Sequence, residues 1–416
     1  MTTAANGHET LSLRGVIARV FLPFALGYFL SYLFRSVNAV IAPYLRADVG
    51  LTAGDLGLLT SAYFLAFAAA QLPIGLALDR LGPRKVEGVL LIFAAIGAGL
   101  FAVADSVGAL VAARALIGLG VAACLMAALK AMTQWFPLDK LPVVNGIVVA
   151  SGGVGALAAT APTEWAVEAI GWRPVFGVLA LATIAAAVIL WAFVPDRKRP
   201  ADVPEETLPQ ALGKLGVIFK SRAFWRVAPA VAMNQGGFMA IQGLWAGPWL
   251  RDVAGLPKGE AATVLLFIAV AMVCGQIGIG LIAERLGRFG VSTLTVVAVC
   301  MAGFIGTEVL VAVGWTAAPL PLWMAFGFLG TVGILCYAVL SRQFSPALAG
   351  RSNTSVNLTM FIAAFAFQWG MGAVIDLWPA DAEGRYPAEA YGAAIGAVVV
   401  LQVAAWVWLI LPRRQS

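Results

Sequence analysis

Long, uninterrupted apolar runs follow one another down this chain, at about 16 to 44, 56 to 78, 85 to 104, 107 to 135, 142 to 167, 173 to 194, 224 to 250, 260 to 283, 290 to 314, 319 to 341, 353 to 378 and 389 to 411. A helix needs about 20 residues to cross a hydrocarbon core of ~30 Å, and the runs are of that order. In lipid every backbone N–H and C=O must be satisfied within the spanning structure, which leaves helices and closed barrels. Barrel strands alternate apolar and polar residues; these runs are continuously apolar, so helices are expected. Composition agrees, with 61% hydrophobic and 12% charged residues against about 25% charged in soluble domains. The expected fold class is an all-α membrane protein with twelve transmembrane helices.

An even number of spans places both termini on one side. Loops on that side carry most of the basic residues, among them Arg14, Arg19, Arg197, Lys198, Arg199, Lys214, Lys220, Arg222, Arg288, Arg413 and Arg414. The opposite loops and mouths hold only Arg46, Arg114, Arg173, Arg251, Lys258 and Arg385. Because positive charge accumulates in cytoplasmic loops, the reading is a multi-pass protein of a bacterial-type cytoplasmic (inner) membrane with both termini cytoplasmic. The net charge of +6 then needs no nucleic acid partner, and the lipid bilayer is the expected surrounding. Five regions follow: a cytoplasmic leader at 1–15, a six-helix bundle at 16–195, a linker at 196–222 read as a solvated tether, a second six-helix bundle at 223–412 and a cytoplasmic tail at 413–416. Cys124, Cys274, Cys300 and Cys336 all lie within apolar runs and read as small buried hydrophobes. The single histidine, His8, falls in the leader and cannot form a two-histidine metal site. No metal or other cofactor is expected.

The two bundles are related by duplication. Gln71-Leu-Pro-Ile-Gly-Leu-Ala-Leu-Asp79-Arg80-Leu-Gly82 is repeated 205 positions later as Gln276-Ile-Gly-Ile-Gly-Leu-Ile-Ala-Glu284-Arg285-Leu-Gly287, with seven of twelve positions identical. The first copy, continued by Pro83-Arg84-Lys85, resembles the signature loop of the major facilitator superfamily. Arg114-Ala-Leu-Ile-Gly118-Leu-Gly120 is similar to a second element of that superfamily, and Ala150-Ser-Gly152-Gly153-Val-Gly155 loosely resembles its glycine-rich fifth helix. The resemblance implies two pseudo-symmetric bundles that alternate access to a cavity lined by the first, fourth, seventh and tenth helices. It also implies a gate at the turn, formed by Asp79, Arg80, Arg84 and Lys85 with Glu284 and Arg285 in the second copy, the two acids pairing across the halves. Weaker similarities point to nitrate/nitrite porters and to dipeptide carriers, although Gln71 and Gln276 stand where the nitrate porters place arginines.

An ionisable residue near the bilayer centre is costly and usually faces a cavity or a partner. Arg35 lies about ten residues, roughly 15 Å, from the outer end of the first span. At 100° per residue it shares one stripe with Tyr28, Ser31, Tyr32 and Asn38. Its planar fork suits a carboxylate or phosphate. Taken with the resemblance, the substrate-binding residues are expected to be Arg35, Tyr28, Tyr32, Asn38 and Lys130, with Gln235, Gln242 and Trp245 from the seventh span and Tyr337 from the tenth. Gln71 and Gln276 read first as structural, Glu308 as an interhelical or outer-mouth carboxylate, and Glu164 and Asp376 as carboxylates near outer ends with water at hand.

No carboxylate stands in the middle of a cavity-lining span. The expected function is therefore secondary active or facilitative transport of a small anionic or zwitterionic organic molecule by a monomer. A multidrug or metabolite efflux pump of the same fold is the alternative. A membrane enzyme or sensor is disfavoured, because the chain offers no HExxH, no Ser-His-Asp set and no phosphate-cradling loop.

Overall fold

The computed structural model describes residues 12–137, 139–196, 207–341 and 343–411. His8 with most of the leader, Arg342, the basic start of the linker and the tail lie outside the described residues. Every regular element among the described residues is a helix. Among the described residues, ten helices are long and apolar enough to cross a membrane, and Val143–Ala158 with Ala161–Ile170, bent by 43°, makes a further span. The seventh span runs from Arg222–Ala240 through Ile241–Trp245 to Ala246–Asp252, made more polar than the others by Asn234, Gln235 and Gln242. The twelve expected spans are thus all present, six on each side of the linker.

The face that carries the turn at Gly82 and the linker is called proximal here, and the opposite face distal. Gly82 adopts φ +81°, a conformation that costs glycine little, and lets Ala53–Leu81 reverse directly into Pro83–Val103. The Arg114 element is built for close packing. A Cβ on Gly118 would stand 2.3 Å from the Tyr63 carbonyl oxygen, and one on Gly120 2.2 Å from the Ala94 nitrogen, so the fourth span touches the backbones of the second and third. Arg114 itself is buried and donates to the Phe34 carbonyl at 3.0 Å.

Spans 1, 4, 7 and 10 are each interrupted part-way along: at Val37, at 122–123, at the π-helical turn Ile241–Trp245 and at the 3-10 turn Gly330–Val332. Irregular backbone at membrane depth is tolerated where protein or a cavity covers it. Side chains meet the freed carbonyls here: Ser31 Oγ donates to Val121 O at 3.4 Å and Gln71 Nε2 to Ala122 O at 3.5 Å. The halves meet where span 2 runs beside span 11, with Phe67 and Phe361 at 4.5 Å between ring centroids, and where Gly153 of span 5 receives Val273 of span 8.

Two expectations are corrected. The linker is not only a tether: Leu208–Lys220 is a helix with a Thr207/Gln210 capping box, and Leu215 and Ile218 are buried on it while Leu212 and Val217 are exposed. Amphipathic patterning across loop-like composition made it hard to see. Cys274 is exposed rather than buried, and all four thiols are free.

Candidate functional site

Between the halves, at the level of the four interruptions, lies a cavity of about 300 Å³. Tyr28, Ser31, Tyr32 and Arg35 reach it from span 1, Phe67 and Gln71 from span 2, Ala122, Leu125 and Met126 from span 4, and Val149 from span 5. The second half contributes Gln235, Phe238, Met239, Gln242, Met272, Gln276, Thr331, Tyr337, Asn357, Met360 and Phe361. Among these lining residues Arg35 is the only charged side chain. Its guanidinium carbon lies 4.6 Å from the Tyr32 ring centroid, 5.4 Å from that of Phe67 and 5.7 Å from that of Phe361. Its Nε is buried without a hydrogen-bond partner. The polar groups bearing on its charge are the phenols of Tyr28, Tyr32 and Tyr63, not a carboxylate. Aromatic faces hold a cation in place and leave the in-plane donors of an arginine fork free for an anion.

Of the residues expected to bind substrate, the structure gathers Arg35, Tyr28, Tyr32, Gln235, Gln242 and Tyr337 around one cavity. Tyr337 donates its hydroxyl to Asn357 Oδ1, joining spans 10 and 11 at the wall. Three others sit elsewhere. Asn38 follows the break at Val37, where the regular projection of the stripe ends, and donates to Thr60 Oγ1 at 2.7 Å. Trp245 closes the π turn, whose extra residue rotates it away; it is buried and donates to Gln368 O at 3.1 Å. Lys130 lies toward the proximal face and pairs with Asp79 at 2.5 Å. Gln71 and Gln276, read first as structural, both line the cavity.

At the turn, Arg84 donates to the Trp191 carbonyl at 2.5 Å within the first half, and Lys85 stands 3.2 Å from Asp196 at the start of the linker. Arg80 and Arg285 are exposed. Glu284 pairs at 2.7 Å with Arg288 of its own helix, not with an arginine of the other half as expected. Cross-half bonds stand at the distal face. Asp376, after span 11, accepts from the Ala53 and Gly54 N–H groups that open span 2, at 2.9 and 2.7 Å, and from Tyr386 Oη at 2.5 Å. Arg46 donates to Gly384 O at 3.0 Å and stands 3.7 Å from Asp252. Glu164 is buried rather than watered, accepting from Tyr44 Oη at 2.7 Å.

Sequence reasoning passed over Glu87. It lies in the first turns of the third span, Pro83–Val103, and is fully buried, as is Glu308 in span 9.

The profile of the Major Facilitator Superfamily matches residues 24–368. Over 366 residues the chain is 26% identical to the "Probable sulfoacetate transporter SauU" of Cupriavidus necator, covering 82% of this chain and 84% of that one. It is 27% identical over 217 residues to the hexuronate transporter of Escherichia coli K12, about half of each chain at 49% and 50%. Among solved structures, a bacterial homologue of the human lysosomal transporter Spinster, inward-facing and unoccupied, superposes with a TM-score of 0.74 at 20% identity, over 94% of this chain and 95% of the other. That likeness shows the fold.

Proposed function

This chain belongs to the Major Facilitator Superfamily and is a multi-pass membrane transporter, and from that premise we propose that it carries a small organic anion of the sulfoacetate or uronate kind. One observation carries the reading: a single arginine, Arg35, serves a cavity with no lining carboxylate. No carboxylate shares the cavity lining with Arg35, so an anion that meets it gains an ion pair without displacing one there. The amides of Gln71, Gln235, Gln242 and Gln276 supply donors and acceptors for hydroxyl or carbonyl groups of the solute. The relatives that carry sulfoacetate and hexuronate support the same class.

Transport proceeds by rocking of the two six-helix halves about this cavity. Distal bonds through Asp376 and Arg46 tie the halves in the present arrangement, which we read as inward-facing, with the proximal face and both termini in the cytoplasm of a bacterial inner membrane. Lys130, paired to Asp79, belongs to the proximal gate rather than to the substrate site.

The test uses purified protein in proteoliposomes with labelled sulfoacetate and D-galacturonate, together with thermal-shift titration by the same anions. Binding raises the apparent stability of the folded protein. Arg35→Ala is expected to lower anion affinity at least 30-fold, about 2 kcal/mol, with insertion and thermal stability retained. Normal counterflow by that variant ends the reading. One feature favours a metabolite exporter as a second reading: Met126, Met239, Met272 and Met360 give the cavity an adaptable apolar wall. Stabilisation by cationic dyes but by neither anion would select it.

A further inference from the structure

Glu87 is completely buried in the third span, one helical turn inside the proximal end, and both of its carboxylate oxygens lack a hydrogen-bond partner. Gly27 of span 1 makes room for it: a Cβ there would stand 2.0 Å from Glu87 Oε1. The Cys124 sulfur lies on the other side, 3.9 Å from the same Cβ position. Both neighbours adjoin the cavity wall, since Gly27 precedes Tyr28 and Cys124 precedes Leu125. The carboxyl therefore sits one layer behind the substrate site.

The groups facing it are few. Span 1 presents Gly27, with the Tyr28 phenol on the cavity side; span 4 presents the Cys124 thiol, which lies within the field of Arg35. Span 6 meets the neighbouring Gly88 through the Trp191 indole. On its own helix, Arg84 is bound to the Trp191 carbonyl and Lys85 to Asp196. Among the described residues no cation contacts Glu87, so its ionised form, costly when buried without a counter-charge, depends on Arg35 across one layer of protein.

We propose that Glu87 is the exchangeable proton site that couples anion movement to a proton. The inference rests on the anion reading of Arg35. With a monoanionic substrate such as a uronate on Arg35 and the proton on Glu87, the interior carries no net charge, whereas a dianion such as sulfoacetate needs a proton of its own on its carboxylate to reach the same balance; with the anion absent and Glu87 ionised, Arg35 and Glu87 again cancel. Each half-loaded form leaves one net charge in a medium of low dielectric, so rocking is restricted to the empty and the doubly loaded carrier. One anion and one proton cross together, and the proton leaves as Glu87–COOH becomes Glu87–COO⁻ with release to proximal water. Glu308 of span 9 is buried in the same way beside Gly237, which precedes Phe238 of the cavity wall, but it faces the Gln402 amide and not a group within the field of Arg35.

The experiment uses proteoliposomes of the full chain loaded with a pH-sensitive dye, to which sulfoacetate or D-galacturonate is added, with counterflow of the same anion measured in parallel. Wild-type protein is expected to acidify the lumen as the anion enters. Glu87→Gln, permanently neutral, is expected to lose at least 90% of the proton flux and of accumulation driven by a pH gradient while keeping counterflow within threefold. Glu87→Asp is expected to recover part of the proton flux. Wild-type anion transport without acidification overturns the proposal and leaves the anion reading standing, as does a Glu87→Gln variant that still accumulates anion on a pH gradient. Loss of counterflow as well, in a variant of unchanged thermal stability, assigns Glu87 to packing and overturns the proposal. If wild type moves neither anion, both readings fall.

Discussion

The distal and proximal faces are both rich in charge, but they spend it differently. Distally, Asp376 of the second half caps the N-terminus of span 2, and Arg46 of the first half reaches Gly384 and Asp252. Proximally, Asp79–Lys130 joins two spans of the first half, Lys85–Asp196 ties that half to the start of the linker, and Glu284–Arg288 lies on one helix. Burial differs in the same sense. The side chains of Arg46 and Asp252 are 11% and 2% exposed, whereas those of Glu284 and Arg288 are 63% and 73% exposed. If the halves rock as proposed, a bond across them exists in one arrangement of the bundles and is lost in the other, whereas a bond within a half survives both. On the proposed rocking, these distal bonds are the ones whose removal should change which state is populated, and these three proximal pairs the ones whose removal should not.

The most severe test of that contrast is Arg46→Met. Removing it leaves Asp252 with only the Tyr391 hydroxyl and the Tyr386 N–H, at 2.6 and 3.3 Å. Loss of one partner of a buried pair costs about 3 kcal/mol, charged here to the distally closed state alone. The measurement is the alkylation rate of a cysteine placed at Ala39, whose carbonyl packs against Gly247 of span 7, in a background lacking the four native cysteines. A rise of tenfold or more is expected, and an unchanged rate would show that Arg46 holds nothing shut. Asp376→Ala comes next. It removes the acceptor of the Ala53 and Gly54 N–H groups while the Thr52/Asp55 capping box of span 2 remains, a change of about 1 kcal/mol, and the same reporter should rise by about fivefold. An increase for Arg46→Met with none for Asp376→Ala would reduce the distal latch to a single residue.

Much of this architecture was legible in the sequence because each span must be apolar for its own reasons and the duplication repeats its turn nearly letter for letter. The Arg35 stripe was legible for a similar reason: from Tyr28 to Arg35 the helix is regular, and a 100° projection describes it. That projection ends at Val37, which is why Asn38 departs from the cavity, and it fails again across the π turn that removes Trp245. Nothing in a local pattern announces either interruption. Pairing over distance was equally hidden. Lys130 meets an acid 51 positions away, and Glu87 depends on an absent side chain at Gly27 of another helix. Single-sequence reasoning therefore recovers what each helix does for itself and misses what one helix makes room for in another.

Smaller effects sharpen the proximal side. Lys130 and Asp79 are 28% and 50% exposed, and such pairs contribute about 0.2–1 kcal/mol. Lys130→Gln and Asp79→Asn should each change the Ala39 reporter less than threefold. If Lys130→Gln lowered sulfoacetate affinity as far as Arg35→Ala does, Lys130 would return to the substrate site. Glu284→Gln removes an exposed i,i+4 pair worth about 0.3–0.5 kcal/mol and serves as the control that should change neither transport nor accessibility.

The weakest effect expected is an acid response of the distal loop. Asp381 accepts the Arg385 N–H at 2.7 Å and the Glu383 N–H at 3.0 Å, and its other oxygen meets Arg385 Nε at 3.2 Å. The Arg385 backbone N–H, followed by its guanidinium, holds the Asp381 carboxyl below the ordinary aspartate range. A depressed value in the folded loop means that the turn's stabilisation is fully present above the unfolded aspartate value and is lost as pH falls through the folded one. Because the same turn presents the Gly384 carbonyl to Arg46, acid should loosen both together. Hydrogen exchange at the Arg385 amide should quicken only below the ordinary aspartate range, and Asp381→Asn should remove that pH dependence. Exchange that quickens instead around neutral pH would assign the loop's order to a different group and separate it from the distal latch.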